Sequence, residues 1–385
     1  MAETTNQAAA ASAETPIDAQ EVSDVGELSQ TQLIWLRFKR NKLAIIGGIG
    51  LIIMYLLVAL GPFIASNGYR FQNQDYLFGP PSPITFTGPN GNLSLRPYTY
   101  EVSTRLDQES FKFVFEINED VKLPIQFFVR GDEYTMLGFI NSDLHLFGVE
   151  GQRFYPLGAD ALGRDVFARL VIGGQVSLTV GLLGVALTIM LGSLMGTISG
   201  YFGGLADDAI QRVIELILSF PTVPLWAALA AALPPISQDF TVVHRYFLIT
   251  VVLSLVNWTG LARQLRAKVM SYREADFTMA ALAAGAKDAR IIFVHMMPNA
   301  ASHIIVVAAL SIPGMILAET SLSFLGLGIL PPAVSWGSLL SEAQNVAVVI
   351  EHSWLMTPGI AVILSVLFYS FLGDALRDAA DPYSI

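Results

Sequence analysis

Ser271 to Asn299 reads SYREADFTMAALAAGAKDARIIFVHMMPN. It is a basic, small-residue-rich stretch between two strongly apolar runs, and its placement decides how the rest of the chain is arranged. Ser271 and Glu274 have the S-x-x-E spacing of a capping box, which predicts a helix start there. Phe277, Ala280, Ala281 and Ala284 recur at helical spacing and predict one apolar face. Because that face is nearly all alanine, another protein's backbone can approach it closely. Gly285 is the expected helix stop. Asp288 is the expected cap of a second short helix that ends at Pro298. Two short helices about a glycine suit a docking element. They suit equally a helix lying on a membrane surface.

The flanking sequence is that of an integral membrane protein. Of the 385 residues, 53% are hydrophobic and only 14% charged, with a positive mean hydropathy, which excludes an ordinary soluble domain. A net charge of -10 argues against a nucleic-acid partner. The absence of cysteine removes disulfides and thiolate chemistry. Residues 1–32 carry acids but no Lys or Arg and are expected to be a disordered acidic tail without the basic start of a signal peptide. Residues 33–65 are expected to hold an interfacial segment and a first span, Leu43 to Ala65, uncharged over the length that crosses ~30 Å of hydrocarbon. Residues 66–155 break that composition. Phe111, Phe113, Phe115 and Ile117 alternate with Lys112, Val114 and Glu116 as in a half-buried strand. Leu123–Val129 and Tyr134–Phe147 read as further strands, punctuated by Gly79–Pro83 and Pro89-Asn90-Gly91. A small β-rich extracytoplasmic insert is expected, serving either as a lid or dock for a binding protein, or as a brace for the spans.

Residues 156–385 are expected to carry five more spans: Val176–Ser199, Ile210–Leu233, Tyr246–Ala262, Ala300–Ser323 and Trp354–Leu372. Pro221 and Pro224 predict a kink or unwound turn in the third span; they are candidates for the translocation path, since broken helices line such paths, or mark a bundle kink. Leu322 to Leu340 holds three glycines and two prolines and is expected to be a re-entrant or interfacial turn, with Trp336 and Trp354 in an aromatic belt. Gly192, Gly196 and Gly200 make a small-residue ridge for packing within the bundle or against a second subunit. Basic residues set the orientation. With the N-terminus inside, the short inner segments hold Arg37, Lys39, Arg40, Lys42, Arg212, Arg263, Arg266, Lys268, Arg273, Lys287, Arg290 and Arg377, and the short outer loops only Arg245. Both termini and the loop at 271–299 are then cytoplasmic.

The chain has no phosphate-cradling G-x-x-x-x-G-K-[ST], no H-E-x-x-H and no G-x-S-x-G. Its histidines, His145, His244, His295, His303 and His352, are scattered, so no metal site and no catalytic residue are expected. Glu319 is the clearest ionisable residue in a span. An acid at mid-membrane costs ~2.5–3.5 kcal/mol on insertion scales, so Glu319 is expected at the outer end, solvated, or else as a polar contact on the translocation path. Asp160, Arg164 and Asp165 in LGADALGRDV are spaced to pair with one another, and exposed pairs are worth only ~0–1 kcal/mol.

Ala280, Ala281, Gly285, Met297, Pro298 and Asn299 resemble the EAA loop of ABC-importer permeases, with Met279 where that motif has its glutamate. Gly158, Asp160, Gly163, Arg164 and Asp165 resemble the LGTDxLGRD segment of the dipeptide/oligopeptide branch, in its C-type permease. LSFLGLG…PP…SWG, with Gly326, Gly328, Trp336 and Gly337, and the closing GDALRDAADP are similar to the same branch. The resemblance implies an all-α integral membrane protein with six transmembrane helices of the type I ABC-importer kind, in the inner (plasma) membrane. It implies no enzymatic activity or cofactor in this chain, with ATP and Mg bound by partner ATPase subunits. The implied partners are a second permease subunit, two ATPase subunits and an extracytoplasmic solute-binding protein, with membrane lipid around the spans. Phe277, Ala280, Ala281, Ala284, Gly285 and Pro298 are the residues the resemblance assigns to ATPase coupling; Ala281→Arg is then expected to uncouple hydrolysis from uptake. Oligosaccharides are the alternative cargo. A proton-coupled carrier is the alternative class, but the scarcity of intramembrane acids counts against it.

Overall fold

The computed structural model describes residues 36–88, 92–109, 113–136 and 138–380. The expected acidic tail at 1–32, the turn at 89–91, and Phe111 and Lys112 lie outside the described residues. Among those described, five helices are long and apolar enough to cross a membrane, and a sixth span arises if one sharply bent pair is counted together. After a short helical stretch at residues 36–40 come α1 (Lys42–Ala59), capped by the Asn41 side chain, and a short α2 (Gly61–Ile64). After the insert come α3 (Val166–Phe202), α4 (Gly204–Leu218), α5 (Thr222–Ala231) and α6 (Val242–Arg273). The loop at 271–299 holds α7 (Asp276–Ala283), α8 (Asp288–Arg290) and a π-turn, Ile291–Met296. Then follow α9 (Met297–Phe324), α10 (Trp336–Leu340), α11 (Val346–Glu351) and α12 (Thr357–Ala380).

The prolines act where the sequence places them. α4 and α5 meet at an 88° bend. Pro221 takes the cap position of α5 and Pro224 lies in its first turn, where missing amides cost no helical hydrogen bond. The span begins at Gly204, earlier than Ile210, because the apolar face of α4 is one-sided rather than continuous. The glycine ridge resolves to packing within the bundle. A Cβ on Gly192, Gly196 or Gly200 would lie 2.9, 2.5 or 2.7 Å from the backbone oxygens of Trp258, Ala262 or Arg266, so α3 and α6 run in backbone contact. Val180, Val185, Ile249, Leu253, Met315 and Leu322 of α3, α6 and α9 form the central core, with Trp226 and Ala230 of α5. Leu51, Leu178, Ile316, Val362 and Tyr369 join α1 and α12 to that core, and the Tyr55 and Tyr369 hydroxyls meet at 2.5 Å.

The insert has two small antiparallel sheets. β1 (Ile84–Thr87), β2 (Leu93–Leu106) and β3 (Phe113–Pro124) form one; β4 (Gln126–Met136) and β5 (Ile140–Gly148) form a hairpin. The expected strand Leu123–Val129 is divided at Pro124–Ile125, where proline ends β3. The expected Tyr134–Phe147 is two strand segments about the turn at Gly138, with Met136 opposite Ile140. Phe115 packs edge-on against Tyr76, which stacks on Tyr155, so the alternating pattern is used at that residue, whereas Ile117 is exposed.

The segment after α9 folds back on the bundle as an irregular stretch, and Trp336 within it is too buried for an aromatic belt. Trp336 is 2% exposed and donates from Nε1 to the Leu170 carbonyl at 2.9 Å. Trp354 donates from Nε1 to the Ala159 carbonyl at 3.0 Å. Each indole N–H finds a carbonyl on another element, so both rings serve as internal ties.

Candidate coupling site

The loop at 271–299 forms a knuckle at the end of the bundle opposite the insert. Its first turn differs from the sequence reading. Ser271 is not a cap: the pattern of α6 continues through Arg273, and Ala275 is the extended residue before α7. The corner is closed instead by Thr278, whose Oγ1 donates to the Tyr272 carbonyl at 2.7 Å, and by Phe277, whose ring sits edge-on to Tyr272. Gly285 ends α7 as expected. Its φ of +76° allows the Gly285 amide to reach the Leu282 carbonyl and the Ala286 amide the Ala281 carbonyl, at 2.9 and 3.0 Å. That paired closure is a Schellman motif, for which a Cβ would be strained. Asp288 caps nothing; its carboxylate accepts from the Tyr201 hydroxyl at 2.7 Å. The helix does not end at Pro298, which lies in the first turn of α9, where a proline is harmless.

The expected single alanine face is divided. Phe277 and Ala281 are half-buried, and Ala281 packs on Val269, Ile291 and Met296, which join α6 to the π-turn. Ala280, Ala284, Gly285 and Pro298 are exposed. Met279, named from sequence only for its place in the motif, and Leu282, not singled out there, complete the outward edge, 56% and 45% exposed. They border a groove of ≈510 Å³ whose walls include Phe202, Met270 and Arg273. A further missed pair braces the base. Arg266 grips Asp207 through two bonds of 2.6 Å, and Asp207 also accepts from Ser199. This fork ties α4 to α6. In sequence Arg266 carries only its positive charge as a signal, and Asp207 none beyond its sign.

The insert end is built differently. Asp160 Oδ1 accepts from the Leu162 and Arg164 amides at 2.8 and 3.0 Å; Oδ2 accepts from Arg164 Nε at 2.7 Å and from Arg169. Glu342, in the turn after α10, meets Arg164 at 3.1 Å and Arg169 at 3.3 Å. The expected exposed pairing is thus a buried network, and two of its members, Arg169 and Glu342, were missed. Arg169 stands inside an apolar helix, which is itself a signal for a partner; Glu342 carries no local signal. Among the described residues, Asp165 pairs with no arginine. It caps α3 through the Phe167 amide at 2.9 Å and accepts from Asn67 Nδ2 at 2.9 Å. Burial pushes its carboxyl up to about 7, against the pull of Asn67 and the backbone amides. Burial, and then Asp160, also raise Glu342. Gly163, between these groups, has φ +69°, and a Cβ there would overlap the Asn73 carbonyl. Gly158, close by, passes against Trp354.

Glu319 is fully buried rather than solvated. Its oxygens accept from Ser177 at 3.0 Å and from Ser323 at 2.6 Å. Those hydroxyls in turn accept from the Trp336 and Ile329 amides at 3.1 and 2.9 Å. The acid therefore pins the irregular stretch, where Gly328 and Gly337 sit against Ser323 and Thr320, to α3 and α9. Gly326 lies just past the end of α9. Arg245, expected in a loop, is buried in the first turn of α6, where Nε and Nη2 each donate at 2.9 Å to the carbonyls of Gly328 and Leu327.

Two family profiles match this chain. That described as binding-protein-dependent transport system inner membrane component covers residues 189–383. That described as the N-terminal TM domain of oligopeptide transport permease C covers residues 29–81. The β-strands of the insert lie outside both matches. A putative peptide permease protein of Brucella ovis is 40% identical over 226 residues, 58% of this chain and 72% of that protein. The oligopeptide transport system permease protein OppC of Haemophilus influenzae is 39% identical over 236 residues, 61% of this chain and 71% of that protein. The dipeptide transport system permease protein DppC of Alkalihalophilus pseudofirmus is 38% identical over 226 residues, 58% of this chain and 71% of that protein.

Proposed function

The chain belongs to the family of binding-protein-dependent transport system inner membrane components, and on that premise we propose that it is the permease subunit of an ATP-driven importer that carries peptides across the inner membrane. The peptide cargo is supported by the names of the relatives. The loop at 271–299 and both termini are placed in the cytoplasm, in keeping with the lysine and arginine distribution. The partners are a second permease subunit, ATPase subunits that supply ATP and Mg chemistry, and a solute-binding protein on the insert side.

The observation that carries the reading is the knuckle itself. An exposed edge of Met279, Ala280, Leu282, Ala284 and Gly285 projects from a corner locked to α6 and to the π-turn that leads into α9. ATPase closure pushes on that edge. Thr278 and the Schellman turn keep α7 from yielding, so the push passes into the two core helices. The Asp207–Arg266 fork carries it to α4, and through the bend at Pro221 to α5, whose movement opens the path to one side or the other. Phe277 and Ala281 support the edge from beneath. Glu319 positions the irregular stretch after α9 and does not touch cargo.

The whole complex in lipid tests this. It should co-purify with its ATPase chains, and peptides delivered by the binding protein should raise ATP hydrolysis where oligosaccharides do not. A chain that transports peptide with no ATPase bound would overturn the coupling; stimulation by oligosaccharide alone would overturn the cargo.

A further inference from the structure

The insert carries an aromatic pair with no role in coupling. Phe127 and Phe128 are neighbours at the start of β4, and each is 63% exposed. Alternation along a strand sends consecutive side chains to opposite faces. Phe128 breaks that rule with φ +58°, a strained conformation for a bulky residue, and both rings stay outside.

Their depth follows from the first span. α1 has 18 residues, about 27 Å at 1.5 Å per residue, close to the thickness of the hydrocarbon core. Phe63 lies one turn beyond it, at headgroup level, and its ring is 6.3 Å from that of Phe128. Phe127 is paired across the hairpin with Phe147, whose ring is 5.9 Å from Phe167 at the head of α3. Ile52, Ile53, Leu56 and Leu57 of α1, and Leu60 at its C-cap, are exposed and make an apolar surface that leads up to Phe63. A groove of ≈570 Å³ beside the hairpin is lined in part by Pro62, Tyr69, Arg70 and Ile172, with Arg70 held over the Tyr69 ring at 5.1 Å.

We propose that the β4–β5 hairpin is seated on the membrane, with Phe127 and Phe128 in the acyl–headgroup boundary of the outer leaflet and Arg70 against lipid phosphate. The occupant is phospholipid, because the patch continues the lipid-facing surface of α1 at the depth where aromatic and basic side chains partition. The seat keeps the insert at a fixed height over the spans.

The chain has no cysteine, so a nitroxide can be placed on a single introduced one. Phe127→Cys, Phe128→Cys and, at the far tip of the hairpin, Phe139→Cys (75% exposed in the natural chain) are labelled in the full complex, assembled with cysteine-free partners in phosphatidylethanolamine–phosphatidylglycerol nanodiscs. Oxygen should relax the labels at 127 and 128 several-fold more than a water-soluble nickel chelate does, with the order reversed at 139. Nickel preference at all three positions overturns the proposal, as does shielding from both reagents at 127 and 128, which means a protein partner. Benzoylphenylalanine at 127 keeps an aromatic ring there; on irradiation it should gain the mass of a phospholipid, and an adduct with a polypeptide overturns the proposal. Peptide-stimulated hydrolysis in the same nanodiscs separates this outcome from the fate of the coupling reading.

Discussion

The two ends of the bundle are made from the same helices by opposite means. At the insert end, buried charge is matched by buried charge: Asp160, Arg164, Arg169 and Glu342 hold one another, and Glu319 lies in a cage of serine hydroxyls. At the loop end, α7 leaves methionine, leucine and alanine exposed, and only its corner and base are bonded. The charge network is satisfied within the chain; the edge of α7 is left uncovered. A charge network gives up its partners at a high cost, so the insert end resists displacement. An apolar edge with few polar commitments can seat and release a partner.

The comparison is tested hardest at Arg169. Arg169→Ala removes the more buried of the two cations that Asp160 and Glu342 share and leaves Arg164 alone between the two carboxylates; breaking a buried pair in this way costs up to about 3–5 kcal/mol. Equilibrium unfolding of the purified chain in mixed micelles should register a loss of that order. A change below about 1 kcal/mol, the worth of an exposed pair, would show that the network is wetter than its burial indicates.

Next comes the seam that connects the ends. Gly196→Ala sets a methyl 2.5 Å from the Ala262 carbonyl, too close for any rotamer to relieve. α3 and α6 must move apart, at about 1–3 kcal/mol for an overpacked core. The same micelle unfolding assay reads it, and the variant should also loosen the knuckle, since α6 runs directly into it. Equal stability in the variant would mean that the helices already part by that distance.

Much of this was legible in the sequence. The spans announce themselves because a long uncharged run has few other places to go. The bend at Pro221 and the stop at Gly285 were legible because proline and glycine act through their own backbone. What failed was anything decided from afar. Glu342 lies 173 residues from Arg169, and nothing near it distinguishes it from a solvated acid. Arg169 escapes the sequence because its apolar run points to a span starting at Val176, whereas α3 has 37 residues, about 55 Å, and exceeds the bilayer. Glu319 was read from its neighbours in sequence, although Ser323 four residues on was a local hint of its partner. Ser271 met a local rule, but the tertiary packing of α6 overrode it.

A pH series sharpens the comparison in a milder way. The folded Asp165 carboxyl titrates at about 7, above its unfolded value, so between about pH 4 and 7 the native state binds more protons than the unfolded state. Its contribution is therefore full below about pH 4 and falls away as pH rises to about 7. Asp165→Asn keeps an N-cap acceptor and removes the titration. The thermal midpoint of the variant should be flatter than that of the natural chain across this window. If both proteins show the same slope, the pH response arises elsewhere.

The smallest effect on folding belongs to the edge, and that is what makes it informative. Ala280→Asp with Leu282→Asp replaces two exposed side chains that no hydrogen bond or core contact needs in the isolated chain. Their loss should alter stability by no more than about 0.5 kcal/mol. Docking against a partner is another matter. Two carboxylates placed in an apolar contact must be desolvated without a counter-charge, so ATPase capture should fall to background while the chain still inserts and unfolds as before. Ala281→Arg gives the complementary result, because that methyl packs on Val269, Ile291 and Met296: it should weaken the chain itself as well as capture. If the double aspartate variant retains its ATPase partners, the exposed edge is not the contact. If it unfolds the knuckle, the edge is part of the core and the contrast between the two ends fails.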